Sequence, residues 1–344
     1  MCSQHGANGR PRSPVGAVPL SPGEERSSSP GRAKAPARRC RYGQRTTSPY
    51  EKRRPARAPF LVRGYVLVVD DDVRYDPTIY QGAAAHYRRG RPAYSPQLEE
   101  VLTAELGLDG SGRLLDAGCG PGILTVRLAQ LFEEAIGLDP DPDMLAEGRQ
   151  AADERGLTNV RWVQALAEDL PAAAPGPYRV VTFGQSFHWT DETRVADTVY
   201  DMLEPGGALA LIVHTVEGRP APPSPGPQPI PHAEIEALVE KYLGSTKRVG
   251  QGVAPLRTHR FEDVLVRSRF GAPRAIFAPG IPDLIRDSES VVSGYFSMAT
   301  SAPHLFGDRV DDFAGDVREL LASRSPEGIF WDWPGDTEVV LARR

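Results

Sequence analysis

The sequence predicts an α/β protein: a mainly parallel, seven-stranded sheet with helices on both faces and helical insertions towards the C-terminus. Three observations carry this. Strand and helix patterns alternate from residue 113 to 214. The run Leu114-Leu115-Asp116-Ala117-Gly118-Cys119-Gly120-Pro121-Gly122-Ile123-Leu124-Thr125 reads as a buried strand, a glycine turn and a helix start, the way a chain wraps a nucleotide-like ligand. Seventeen residues past Gly122, Asp139 ends a second apolar strand, where a carboxylate accepts hydrogen bonds from ribose hydroxyls.

In order, apolar residues at helical spacing place a first helix over 97–106. Strand 113–117, helix 123–132, strand 135–139, helix 142–155 and strand 159–164 follow, then strand 178–183, helix 191–203 and strand 207–214. Leu203-Glu204-Pro205-Gly206-Gly207 reads as a helix stop and tight turn before the last of these. The proline-dense stretch 217–231 is expected as an extended loop. Beyond it are predicted helices at 233–243 and 261–269, strand 273–278, helices near 288–299 and 309–323, and strand 337–342.

The glycine turn has the spacing Gly-x-Gly-x-Gly. A dinucleotide fingerprint requires its third glycine at position 123, which is Ile123, so a nicotinamide oxidoreductase is the disfavoured alternative. Asp116, two residues before the first glycine, repels a pyrophosphate and suits a cationic amino-acid ligand. These residues resemble motif I of the class I S-adenosylmethionine-dependent methyltransferases. The wider pattern, from about Tyr75 to the C-terminus and strongest over 113–213, is similar to relatives of the ubiquinone/menaquinone C-methyltransferases and trans-aconitate methyltransferase. The resemblance implies a Rossmann-like sheet closed by an antiparallel final pair and a lid, with insertions at about 215–260 and 280–333. S-adenosyl-L-methionine is the implied cofactor and a small organic molecule the implied methyl acceptor.

It also implies site residues. Asp116 stands near the methionine amino group; a helix-turn cap is its other reading. Gly118, Cys119 and Gly120 line the methionine portion through their backbone, Cys119 as a small hydrophobe. Asp139 is the ribose ligand, with Pro140 and Met144 flanking adenine; as a surface acid before a helix, Asp139 is otherwise a cap. Ala165-Leu166-Ala167-Glu168-Asp169-Leu170-Pro171 resembles the family's Asp/Asn-Ala-Glu-x-Leu-Pro segment. Leu166 stands where the Asp or Asn usually meets the base, which leaves adenine to backbone contacts at Ala167 and Glu168.

Tyr87-Arg88-Arg89-Gly90-Arg91-Pro92-Ala93-Tyr94 resembles a Tyr-x-x-x-Arg-Pro-x-Tyr segment folded over the cofactor. Arg91 either pairs with the methionine carboxylate or caps a solvated basic turn, and Tyr87 either covers the cofactor or packs. The fourth strand ends in Thr182-Phe183-Gly184-Gln185-Ser186-Phe187-His188-Trp189, beside the transferred methyl in class I enzymes. Gln185 is a cofactor contact there. His188 is either a general base or a packed histidine beside Trp189, and His214 is a weaker candidate.

Composition sets the remaining bounds. The 344-residue chain carries net charge −5, which divides into +10 over residues 1–57 and −15 over the rest. An acidic body disfavours a broad nucleic-acid surface. Residues 1–59 are too polar to bury a core, and the globular pattern begins at Val73, so 1–72 is read as a disordered extension and 73–344 as the enzyme domain, with translation expected to start near Val73. Cys2, Cys40 and Cys119 suggest no disulfide framework, and the seven histidines lack metal-ligand spacing. No apolar run has the length of a membrane span or a secretory signal, and a soluble, cytoplasmic protein is expected. A non-catalytic, cofactor-binding regulator or partner subunit with the same pocket is the alternative in another functional class.

Overall fold

The computed structural model describes residues 75–215, 219–254 and 259–344. The predicted disordered extension 1–72 lies outside the described residues, as do residues 217 and 218 of the predicted loop. Helices α1 (Ala84–Gly90) and α2 (Leu98–Leu106) precede β1 (Arg113–Ala117), α3 (Ile123–Leu128), β2 (Glu134–Asp139), α4 (Pro142–Glu154) and β3 (Val160–Gln164). Then come β4 (Tyr178–Gly184), α5 (Glu192–Met202), β5 (Leu203–Thr215), α6 (His232–Leu243) and the two-residue strands β6 (Arg248–Val249) and β7 (Gly252–Val253). Last are α7 (Phe261–Arg267), β8 (Arg274–Ala278), β9 (Leu284–Asp287), α8 (Ser288–Phe296), α9 (Val310–Arg324), β10 (Ile329–Asp332) and β11 (Asp336–Arg343).

The main sheet has seven strands in the order β3-β2-β1-β4-β5-β11-β8. The five from β3 to β5 are parallel, and β11 runs antiparallel to both β5 and β8. A parallel sheet must be covered on both faces, and the two-residue period of the strands supplies both coats. Leu115, Val181 and Leu211 turn to one face with Val195 and Val199 of α5 and Val264 of α7. Their neighbours Leu114, Val180 and Ile212 turn to the other, with Leu98 and Leu102 of α2 and Leu124 of α3.

Helix α1 and the β6–β7 pair were not expected from the sequence, and three further regions differ in form from the expectation. Helix α3 stops at Leu128, giving way to a 3₁₀ turn over 129–131, because Asn159 Nδ2 donates to the carbonyls of Ala129 (2.9 Å) and Phe132 (3.0 Å). The Leu203–Gly207 turn lies inside β5: Tyr178 pairs with Leu203 and Val180 with Ala208, so the intervening residues loop out as a bulge, with Gly206 at φ +83°. Strands β9 and β10 pair antiparallel within a region predicted to be helical. The proline-rich segment joins them: Trp331 N–H donates to Gln228 O (2.9 Å) and Ile230 N–H to Trp331 O (3.2 Å).

Above the carboxyl ends of the sheet strands, α6, α8, α9 and β10 form a cap with its own core. Phe306 stacks on Phe313 at 4.2 Å, and Ile235, Phe296, Val317 and Phe330 are buried around them. No described helix is long and apolar enough to cross a membrane.

Candidate cofactor and acceptor site

The site begins where β1, β2 and β4 end. Strand β1 lies between β2 and β4 and the connections leave to opposite sides of it, which opens a crevice at their carboxyl ends. The glycine turn lies across that crevice. Gly118, Gly120 and Gly122 all have positive φ, at +62°, +52° and +71°. A Cβ on Gly122 would be driven into the ring of Trp162, which also lies against Gly137 and Gly148; these glycines let β2, α3 and α4 close over one indole. A Cβ on Gly120 meets nothing within 4 Å. That open space faces the cavities described below.

Two carboxylates organise the turn. Asp116, 1% exposed, accepts hydrogen bonds from Thr125 Oγ1 (2.6 Å) and Thr182 Oγ1 (2.8 Å). Burial pushes its carboxyl up to about 6, against the opposing pull of the two threonines. Asp139, 8% exposed, accepts the N–H of Gly120 on Oδ2 (2.7 Å) and that of Asp141 on Oδ1 (2.9 Å). Burial also raises it to about 6, with the two backbone N–H groups working the other way. The cap of α4 is Asp141, whose Oδ1 accepts from Asp143 N–H (2.8 Å) and Met144 N–H (3.3 Å). Asp139 is therefore released from capping and bridges two loops.

Two cavities meet at this turn. The smaller, about 80 Å³, is lined by Asp139, Pro140, Met144, Leu166, Ala167 and Glu168, with Tyr75 and Ile79. The larger, about 750 Å³, is lined by Arg91, Asp116, Cys119 and His188 on the sheet side and by residues of the cap opposite. Tyr87, Gly118, Gly120 and Gln185 line both, as do Tyr80, Gly184 and Trp189. Each candidate catalytic or cofactor-binding residue named from the sequence thus borders one cavity or both.

Individual roles are constrained by contacts. Gln185 is the non-glycine residue with positive φ (+55°) among those described, its N–H held by Ile212 O at 3.0 Å; a strained backbone at a strand end is typical of a ligand site. Glu168 Oε1 accepts Asp191 N–H (2.8 Å), and Asp169 Oδ2 accepts Leu166 N–H (3.1 Å), so this loop is internally tied. Burial raises the Cys119 thiol well above its ordinary value, which keeps it an unreactive small hydrophobe. His188 faces the large cavity with its ring 4.9 Å from that of Trp189. His214 borders the same cavity, stacked on Tyr94 at 4.7 Å.

Arg91 lies over the Tyr87 ring (4.7 Å) and donates to Ser297 O (2.7 Å). Its Nε is buried without a hydrogen-bond partner, and no carboxylate pairs with it among the described residues. A buried guanidinium edge without an acceptor, facing a cavity, is a place for an anion.

Sequence reasoning missed two groups. Tyr80 forms edge-to-face contacts with Tyr87 (5.9 Å) and Trp189 (6.1 Å), roofing the junction of the cavities. The spacing Tyr80, Ala83, Ala84, Tyr87 is helical and shared a face with Met144, a signal open to reading. The second group is the cap wall: Arg286 with Asp332 (3.2 Å), and His232 Nδ1 with Tyr295 Oη (3.0 Å). These lie up to a hundred residues apart in sequence, with no spacing to mark them.

The sheet order and the glycine turn agree with the resemblance to class I S-adenosylmethionine-dependent methyltransferases read from the sequence. Residues 114–207 match the family described as methyltransferase domain. It is similar to the uncharacterised methyltransferase Rv3342 of Mycobacterium tuberculosis, 32% identical over 140 residues, 41% of this chain and 54% of that one. It is similar to the tRNA 5-carboxymethoxyuridine methyltransferase of Escherichia coli (30% over 123 residues; 35% and 46%). It is also similar to the trans-aconitate 2-methyltransferase of M. tuberculosis (32% over 171 residues; 48% and 55%). The chain spans about half the length of these curated relatives.

Proposed function

We propose that the protein transfers the methyl group of S-adenosylmethionine to a small organic acceptor, with residues 73–344 as the catalytic domain and the cap as the acceptor-selecting part. The observation that carries this reading is the junction of two cavities at Gly118, Gly120 and Gln185, one walled by Asp139 and the other by Asp116 and Arg91. The residues fit the cofactor at three independent points. Gly120 leaves open the volume a side chain would fill, Asp139 ends the second strand beside Pro140 and Met144, and Arg91 Nε has no partner.

When bound, S-adenosylmethionine supplies an electrophilic sulfonium methyl. Asp139 would hold the ribose with the lone pairs its two backbone donors leave free. Asp116 would face the methionine ammonium and Arg91 the carboxylate, opposite charges answering opposite charges. Tyr80, Tyr87 and Trp189 exclude water from the junction. What remains for the protein is to hold the acceptor's nucleophile in line, so proximity and orientation are the main source of rate. His188, at the edge of the large cavity, would take the proton from a protic nucleophile.

The cavity of about 750 Å³ supports a small acceptor beneath the cap. One relative named above acts on tRNA by its name and another on trans-aconitate; the size of the cavity and the acidic body favour the second kind of acceptor. Transfer of radiolabelled methyl from S-adenosylmethionine into a small-molecule extract, against transfer into bulk tRNA, tests this. Label in the tRNA alone would refute the small-acceptor reading.

A further inference from the structure

The charges lining the large cavity do not balance, and the imbalance is local. On the sheet side Arg91 and Asp116 oppose each other, matching the two charges of a methionine end. On the cap side three cations line the cavity: Arg219, Lys247 and Arg286. Lys247 pairs with Glu236 (3.3 Å). Arg286 is 7% exposed and saturated, with Nη1 on Asp332 (3.2 Å) and Nη2 on the carbonyls of Gly90 (2.7 Å) and Ser290. Arg219 has no carboxylate partner among the described residues. Its guanidinium lies over the ring of Trp331 at 5.2 Å.

That platform is fixed. Trp331 is 0% exposed, its indole N–H donates to Pro282 O (2.7 Å), and its backbone joins the β9–β10 pair. An arginine stacked on a fixed ring keeps its five N–H donors free at the edge and loses less side-chain entropy on binding. Ile230 and Val291 line the same cavity with apolar surface.

We propose that the methyl acceptor is an organic carboxylate with an apolar body, its anionic end held by Arg219 at the cap wall; this rests on the methyl-transfer reading above. Arg219 selects the substrate and takes no part in the chemistry. The apolar body lies along Ile230 and Val291, pointing the far end of the molecule towards Gln185 and His188. A neutral acceptor of the same shape would lose the charge-assisted bonds and keep only the apolar contact.

The full-length protein saturated with S-adenosylhomocysteine is titrated with hexanoate, benzoate and cinnamate, and with their primary amides, by ligand-observed NMR. At least one acid should bind about tenfold more tightly than its amide. That preference should vanish in Arg219→Gln and persist in part in Arg219→Lys, with S-adenosylhomocysteine affinity equal in all three proteins. Acids and amides binding equally, an acid preference surviving Arg219→Gln, no acid binding, or inorganic phosphate displacing each acid would overturn the proposal. If S-adenosylhomocysteine itself does not bind, the methyl-transfer reading fails separately. The acid–amide comparison on the ligand-free protein then still decides the Arg219 assignment.

Discussion

The backbone N–H of Gly120 donates to Asp139 Oδ2 over 2.7 Å, tying the turn after β1 to the end of β2. One carboxylate thereby fixes the loop that would cradle the methionine and stands where the ribose would lie. Asp139→Ala should cost about 1–3 kcal/mol of S-adenosylhomocysteine binding, a loss of roughly five- to 150-fold. Asp139→Asn, which keeps one acceptor oxygen, should lose less. Calorimetric titration of both variants measures this, and unchanged affinity in Asp139→Ala would remove the ribose assignment.

The glycines of the turn separate fold from ligand. Gly122→Ala forces a methyl into Trp162 at a positive φ and should destabilise the protein by about 2–4 kcal/mol, seen in denaturant unfolding. Gly120→Ala places its methyl in open cavity; only the backbone cost of about 1–2 kcal/mol falls on stability. Its effect should appear instead as lost cofactor binding. Equal damage to both properties in both variants would contradict the division.

Arg91 offers a test by ligand truncation. If its guanidinium meets the methionine carboxylate, Arg91→Met should weaken S-adenosylhomocysteine about tenfold or more. It should leave methylthioadenosine, which has no carboxylate, unchanged. A parallel loss for both ligands would assign Arg91 to packing against Tyr87 and Ser297.

Asp116 and Asp139 are both raised to about 6 in the folded protein, above the 3.8 of an unfolded Asp. Between pH 4 and 6 the folded state therefore holds more protons than the unfolded chain, and these two groups make stability fall as pH rises through that window, by up to about 3 kcal/mol each. Above pH 6 their contribution is flat. Asp116→Asn should abolish its share, so wild type should lose stability relative to the variant from pH 4 to 6 in thermal melts. A constant difference would show that Asp116 is ionised throughout.

Much of the fold was legible because local chemistry and tertiary role agree along 113–215. Leu114 and Leu115 alternate to two buried faces, Gly122 must be glycine beside Trp162, and Asp139 ends its strand. The residues of the sheet-side cavity wall were legible for the same reason, being grouped at strand ends. The bulge in β5 was not, since a Pro-Gly-Gly run marks a looped-out segment and a turn alike. The cap wall was the least legible. Arg219, His232, Arg286 and Asp332 meet only through the β9–β10 pairing, and no periodicity joins four-residue strands some forty residues apart.

His188→Ala should lower turnover by about a hundredfold if the imidazole takes the acceptor's proton, with cofactor affinity unchanged. Normal turnover would leave His188 a packing partner of Trp189.

Calorimetric titration of the full chain with S-adenosylmethionine, S-adenosylhomocysteine and NADH tests the central claim most directly. Saturable binding of both adenosyl ligands at one site per chain, with no heat from NADH, is the expected result. Binding of NADH alone, or of none of the three, would contradict a methyltransferase site at the Gly118–Gly120 turn.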